Sequence, residues 1–179
     1  MADEVEVVIR QAVPEDAAEL LALTKQIGSE TEFLVMDETG MALPEELLAQ
    51  QLASFQESPN NLLLVAQVDQ QLVGLASVTA AKEWRIAHIG EVGISILRAY
   101  WGIGLGSIMM EEVLEWAKQN ERLYRLELTV QVRNQRGIAL YERFGFVKEA
   151  TLSRGARSDA GQFIDVYLMS YLLELTDMS

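Results

Sequence analysis

Ile94-Ser-Ile-Leu-Arg-Ala-Tyr-Trp-Gly-Ile-Gly-Leu-Gly-Ser107 runs an apolar strand through a short loop into three alternating glycines and straight into a helix. Glycine lets the backbone approach a ligand closely and adopt φ > 0. A helix that begins just after it points unpaired N–H groups and the positive end of its dipole at an anion. Gly102, Ile103, Gly104, Leu105, Gly106 and Ser107 therefore read as a cradle for a phosphorylated ligand, with a plain tight turn as the alternative. What is missing narrows the ligand. The dinucleotide fingerprint needs a third glycine where Ser107 stands and belongs near the start of a βαβ unit, whereas about half of this chain lies upstream. The triphosphate loop needs Gly-Lys-Ser/Thr, and no lysine occurs between Glu83 and Lys118.

Outward from that loop, the period of the apolar residues sorts the chain into elements. Val5 to Arg10 alternates as a strand, and Pro14-Glu-Asp-Ala opens a helix to about Gln26, with proline suited to its first turn and acids at its positive end. Gly28 to Leu43 has no clear period and reads as a mobile loop or as part of an acceptor lid. Pro44 to Phe55 has helical spacing in Leu47, Leu48 and Leu52 and stops at Ser58-Pro-Asn-Asn61. Three strands follow, Leu62 to Val68, Leu72 to Ala81 and Ile86 to Leu97, expected as an antiparallel meander. The helix from Gly106 to Asn120 places Met109, Val113 and Trp116 on one stripe. Leu126 to Val130 reads as a strand, Asn134 to Arg143 as a helix ended by Gly145, and Phe146 to Thr151 with Phe163 to Leu173 as a last hairpin. No repeat or linker interrupts the order β-α-α-β-β-β-α-β-α-β-β, so residues 1–179 are expected to form a single domain.

Two sets of side chains carry candidate chemistry. Alternation puts Ile89, Glu91, Gly93 and Ser95 on one face of their strand and Val92, Ile94 and Ile96 on the other. A carboxylate in a half-buried sheet is costly unless paired or used, which makes Glu91 the candidate general base; a salt-bridged or solvent-facing glutamate is the alternative. Asn134 and Tyr141 stand seven residues apart, nearly two helical turns, and so share a helix face. A helix N-cap and a core tyrosine are the structural readings of that pair. Arg154, Arg157 and Asp159 fall in the last connecting loop, where contact with an acceptor or a phosphate competes with a charged surface; Asp165 is a further candidate acceptor contact.

Trp101-Gly-Ile-Gly104-Leu-Gly106 is similar to the pyrophosphate motif Gln/Arg-x-x-Gly-x-Gly/Ala of the GCN5-related N-acetyltransferases, the GNAT superfamily, with Trp101 departing from Gln or Arg. Val8-Ile-Arg-Gln-Ala-Val-Pro-Glu-Asp16, Leu126-Glu-Leu-Thr-Val130, Asn134 and Ile138-Ala-Leu-Tyr-Glu-Arg-Phe-Gly-Phe146 follow in the family's order over nearly the whole chain. The resemblance implies an α/β (α+β) acyl-CoA N-acyltransferase fold, a mixed, mostly antiparallel twisted sheet of about seven strands flanked by about four helices. It implies acetyl-CoA as cosubstrate, its pantetheine arm paired with the splayed backbone of Ile94, Ser95 and Ile96 and contacted by Asn134, and Tyr141 protonating the leaving thiolate. Some members carry a glutamate where Thr129 stands, which leaves the base role here to Glu91 or to water. The function expected is direct acetyl transfer to a primary amine of a small molecule or protein N-terminus; a catalytically idle CoA-binding regulatory module is the alternative. A homodimer through the C-terminal strands is also compatible with the resemblance.

Composition bounds the remaining classes. The absence of cysteine and the single His88 argue against a metal centre or thiol chemistry. A formal charge of −13 opposes nucleic-acid or anionic-membrane partners and suits a cationic amine acceptor. No apolar run approaches the ~20 residues of a membrane span, and the acidic start Met1-Ala-Asp-Glu-Val is unlike a secretory signal, so a cytoplasmic location is expected.

Overall fold

The computed structural model describes residues 5–175. Its strands are β1 (Val7–Gln11), β2 (Leu62–Val68), β3 (Gln71–Ala80), β4 (Ile89–Ile96), β5 (Arg125–Gln131), β6 (Val147–Arg157) and β7 (Phe163–Leu172); its helices are α1 (Ala17–Glu30), α2 (Glu45–Glu57), α3 (Leu105–Gln119) and α4 (Gln135–Arg143). The strands form one mixed sheet in the order β1-β2-β3-β4-β5-β7-β6. Every neighbouring pair is antiparallel except β4 and β5. This is the expected architecture. No helix among the described residues is long and apolar enough to cross a membrane.

Alternating side chains divide the sheet between two cores. On one face Leu20 and Ile27 of α1 and Leu48 and Leu52 of α2 pack on Val65, Leu72 and Leu75. On the other, Met109, Met110 and Val113 of α3 pack on Val92, Leu126, Leu128 and Met169, and Ile138 of α4 and Phe146 join them. Trp116, expected on the inner stripe of α3, packs against this core while only partly buried. The first face is covered over β1, β2 and β3 only. Along β6 almost every residue is exposed.

Local chemistry sets the turns. Asp69 and Gln70 both take positive φ, 49° and 69°, the twist that a two-residue hairpin loop needs between β2 and β3. Asp16 accepts from both Nη atoms of Arg10 at 2.8 Å and from the Val13 N–H, fixing the passage from β1 into α1; the guanidinium holds the Asp16 carboxyl below its usual range.

Several boundaries differ from expectation. Pro14 to Asp16 form a separate 3₁₀ turn before α1. Helix α1 continues past Gln26 to Glu30, through Gly28. Gly28 is there for close approach rather than as a breaker: a Cβ on it would lie 1.7 Å from the Asp37 carbonyl oxygen, so the segment after α1 folds directly back on the helix. Residues 86 to 88 form turns rather than strand, and β4 starts at Ile89. β6 runs on to Arg157 with an irregularity near Arg154 (φ 56°), so Arg154 and Arg157 lie in a strand and only Asp159 in the connecting loop.

Gly28→Ala forces that backbone contact apart and is expected to cost about 2 kcal/mol or more. Urea unfolding at unchanged m-value measures it; wild-type stability would mean the loop is not held against α1.

Candidate active site

The parallel pairing of β4 with β5 lasts three residues, Ile89 to Glu91 against Arg125 to Glu127. Beyond it β5 keeps only β7 as partner and β4 only β3, so the two strands part. The Leu97 N–H donates to the Val73 carbonyl at 2.9 Å. Because a strand's hydrogen-bonding groups point alternately to its two sides, Ile96 and Ile94 turn their N–H and C=O into the gap. Ser95 is the exception among the three residues expected to pair with a ligand. Its backbone faces β3, in register with Leu75.

A cavity of about 630 Å³ occupies this gap, within the range of small-molecule sites. Ile94, Ser95 and Ile96 form one wall and Gly102, Gly104, Leu105, Gly106 and Ser107 another. Asn134, Leu140 and Tyr141 line it from α4 and its cap, and Ile27, Thr31, Phe33 and Leu34 from α1 and the following loop. Elements from both faces of the sheet thus share one cavity. Ile103 and Glu91 do not line it. Ile103 is 60% exposed on the outside of its turn.

The glycine turn has the geometry of an anion cradle. Gly102 and Gly104 adopt φ of 79° and 86°, and Gly104 is the N-cap of α3, where the Ile108 N–H closes the first helical turn on its carbonyl at 3.1 Å. The N–H groups before Ile108 have no acceptor within the helix. A Cβ on Gly104 would meet nothing within 4 Å, whereas on Gly106 it would press on Leu140 Cδ2 at 3.3 Å. Gly104 therefore faces open space and Gly106 lets α3 approach α4.

Sequence reasoning missed the cations here. Trp101 donates from Nε1 to the Ile96 carbonyl at 2.7 Å, and the guanidinium groups of Arg98 and Arg136 lie over its ring, 5.3 and 5.6 Å from the centroid. Arg143 donates to the Ser107 hydroxyl at 2.9 Å. Arg136 and Arg143 both line the cavity beside the glycines, the role weighed for Arg154 and Arg157. The signal was present as cationic positions two and nine residues after Asn134 on the α4 face.

Asn134 is the N-cap of α4, its Oδ1 accepting from the Gly137 N–H at 2.9 Å. Tyr141 follows on the same face, packs edge-on against Phe146 with centroids 6.1 Å apart, and reaches the cavity wall. Burial pushes its phenol up to about 12. Glu91 is exposed, against the expectation of a half-buried group, because no helix covers this face beyond β3 and β4 carries Gly93 beside it. Among the described residues its carboxylate has no hydrogen bond or ion pair, while Glu127, beside it in register, is taken by Arg125 at 2.9 Å. Asp165 accepts from the Arg154 N–H at 2.9 Å.

The segment after α1, read as loop or lid, is tied down at Glu32. Gln131 donates to the Glu32 carbonyl at 2.7 Å and the Asp159 N–H to its carboxylate at 2.8 Å. Thr31, Phe33 and Leu34 are thereby held at the cavity.

Known proteins share this arrangement. The pattern defining the Acetyltransferase (GNAT) family matches residues 30–146. An acetyltransferase of the GNAT family from Streptococcus pneumoniae superposes with a TM-score of 0.92 at 42% identity, over 94% of this chain and 100% of that one. The L-amino acid N-acetyltransferase AaaT of Escherichia coli is 31% identical over 114 residues, 64% of this chain and 70% of its own length. The yncA acetyltransferase of Salmonella typhimurium, solved with acetyl-CoA, shares the fold with a TM-score of 0.80 at 18% identity, over 97% of this chain and 99% of that one. Those matches, on a sheet that opens between β4 and β5, make this chain a member of the GNAT family of acetyl-CoA-dependent N-acetyltransferases.

Proposed function

We infer that the chain transfers acetyl from acetyl-CoA directly to a primary amine of a small molecule or protein N-terminus, with no covalent enzyme intermediate. The observation that carries this reading is the cavity passing between β4 and β5, lined from both faces of the sheet. It lets a thioester held on the α3 and α4 side meet an amine arriving from the α1 side. Held near each other, the reactants escape much of the entropic cost of encounter.

The residues fit that cosubstrate. The first turn of α3 and the cations Arg136 and Arg143 suit its phosphates. The outward edge of β4 at Ile94 and Ile96 suits an amide-bearing arm added like a strand. Acetyl-CoA supplies an activated thioester carbonyl. An outward N–H of β4 stabilises the oxyanion as the amine attacks. The amine loses its proton to Glu91 through water, because this exposed, unpaired carboxylate lies on the acceptor side of the sheet but outside the cavity wall.

Tyr141 meets the departing sulfur. A phenol at about 12 facing a thiolate near the ~8.5 of ordinary thiols gives up its proton uphill by about 5 kcal/mol. Its part in the transition state is therefore a hydrogen bond to the sulfur as charge develops, the phenol keeping its proton and the released thiolate taking one from solvent. The same shift keeps the phenol neutral across the range where the enzyme works.

Turnover of acetyl-CoA with a panel of amines, with products identified by mass, tests the reading as a whole; no acetylated product from any amine would overturn it. Tyr141→Phe keeps the ring and its contact with Phe146, so melting temperature and acetyl-CoA affinity should hold while kcat falls ~10²-fold. A merely structural tyrosine gives the reverse pattern. Glu91→Gln should lower kcat at unchanged acetyl-CoA affinity, and unaltered turnover assigns deprotonation to water. Gly104→Val puts a branched side chain in the left-handed region and into the open space of the cradle, and should weaken acetyl-CoA binding by more than tenfold, ~1.4 kcal/mol. Calorimetry on the folded variant decides it.

A further inference from the structure

A second cavity of about 170 Å³ lies between α2 and the sheet, walled by Leu52 and Phe55 of α2, Leu75 of β3 and Met41 of the incoming loop. Its few polar groups, Gln51, Ser77 and Thr79, stand at its border. A volume of about 150 Å³ is large enough to take up a benzene ring, and with Gln51 and Thr79 exposed beside it this cavity opens to solvent, so a ligand can enter it. It adjoins the reacting centre. Leu75, Ser77 and Thr79 pair in register with Ser95, Gly93 and Glu91, all on the same face of the sheet. Ser95 lines the main cavity and Leu75 the second, so a pair of residues in register across β3 and β4 belongs to the two cavities, which lie side by side on this face of the sheet. Gly93 sits between them, exposed and without a side chain, and a Cβ there would touch only Ser77 Oγ, at 3.2 Å. The way from one cavity to the other is open where a larger residue would narrow it.

We propose that this second cavity receives an apolar side chain borne next to the reacting amine. The acceptor is then the α-amine of an amino acid or N-terminal residue of the leucine, methionine or phenylalanine kind. The proposal rests on the transferase reading above and narrows its acceptor. An α-amine and its side chain diverge from one carbon atom, so a side chain seated under α2 leaves the amine beside Ser95, on the face of the sheet that carries Glu91 ~13 Å further along β4. A charged side chain would enter a site lined by six apolar and three uncharged polar residues and would lose much of its hydration there without an ionic partner.

The test compares kcat/KM with acetyl-CoA for leucine, phenylalanine, glycine and aspartate, each free and as the first residue of a dipeptide. Leucine and phenylalanine should exceed glycine and aspartate by tenfold or more in at least one series, and the series that responds tells a free amino acid from a peptide. Ser77→Leu, which fills the cavity, and Gln51→Phe, on the exposed surface of α2, should bring the leucine-to-glycine ratio towards one while glycine turnover and acetyl-CoA affinity stay at wild-type values. Saturation-transfer NMR with leucinamide reads the same site without chemistry: its methyl groups should receive saturation from the wild-type protein and not from Ser77→Leu. Active enzyme that does not discriminate among side chains, or a preference unchanged in both variants, overturns the proposal and leaves the transferase reading intact. Leucinamide bound in the cavity with no acetylation of any amine supports the cavity's role and overturns the transferase reading.

Discussion

Everything functional in this chain depends on a pairing that stops early. β4 and β5 are neighbours for three residues and then separate, and a sheet that loses a ladder exposes two rows of polar backbone groups that need partners. One of those groups, the Ile96 carbonyl, is met by the Trp101 indole. The rest of the β4 edge at Ile94 and Ile96 is left for a ligand. The helices that follow the two strands hold the gap open from below, because Gly106 of α3 lies against Leu140 of α4 with no side chain of its own to spare. Parallel neighbours need a crossover between them, here α3, so the glycine turn and the α4 cap arrive at the same end of the sheet.

A chain with a net charge of −13 that takes a phosphorylated cosubstrate has to arrange its charges locally. Arg98, Arg136 and Arg143 gather around the glycine turn, two of them over the ring of Trp101 and the third on Ser107. Stacking holds the guanidinium planes in place; Arg98 donates to the Glu30 carbonyl, while among the described residues the N–H groups of Arg136 stay free to donate. The tryptophan that stands where the family motif has Gln or Arg thus organises cations instead of supplying one. On the opposite face the carboxylates dominate: Glu91 is unpaired, Glu127 and Glu149 share Arg125, and the Glu149 carboxyl is held at about 2 by Arg125 and Ser170. The field therefore changes sign across the gap, which favours an anion on one side and an ammonium on the other.

The parts of this architecture legible in sequence are those fixed by neighbours in the chain. The glycine turn, the strand limits of Leu62 to Val68, the cap at Asn134 and the C′ glycine at Gly145 (φ 98°) all follow from residues within one turn of each other. What sequence missed was decided by contacts across long separations. Sequence places the end of α1 at about Gln26, before Gly28, because the contact that holds Gly28 in the helix, Asp37, lies nine residues away on a returning loop. Glu91 looked half-buried because period-2 alternation assigns a face without saying whether anything covers it. The reach of β6 to Arg157 depends on its register with β7, where one irregular position at Arg154 lets the ladder resume at Ala156.

The two substrates are recognised by different means, and this explains why one could be read and the other could not. On the reading proposed above the cosubstrate is held largely by backbone: free N–H groups at the start of α3, the outward edge of β4 and glycines that must stay bare. Such a site constrains the sequence to a short glycine pattern that survives changes elsewhere. On the same reading the acceptor meets side chains from α1, its following loop, α2 and the uncovered half of the sheet, elements brought together by Glu32 and by the packing of Met41 and Leu34 on the core under α1 and α2. None of those residues is required by the fold to be what it is, beyond being apolar or small. A scaffold built this way can change its acceptor by substitutions under α2 while the acetyl-CoA side is left untouched, so specificity here is a property of cavity shape rather than of any motif.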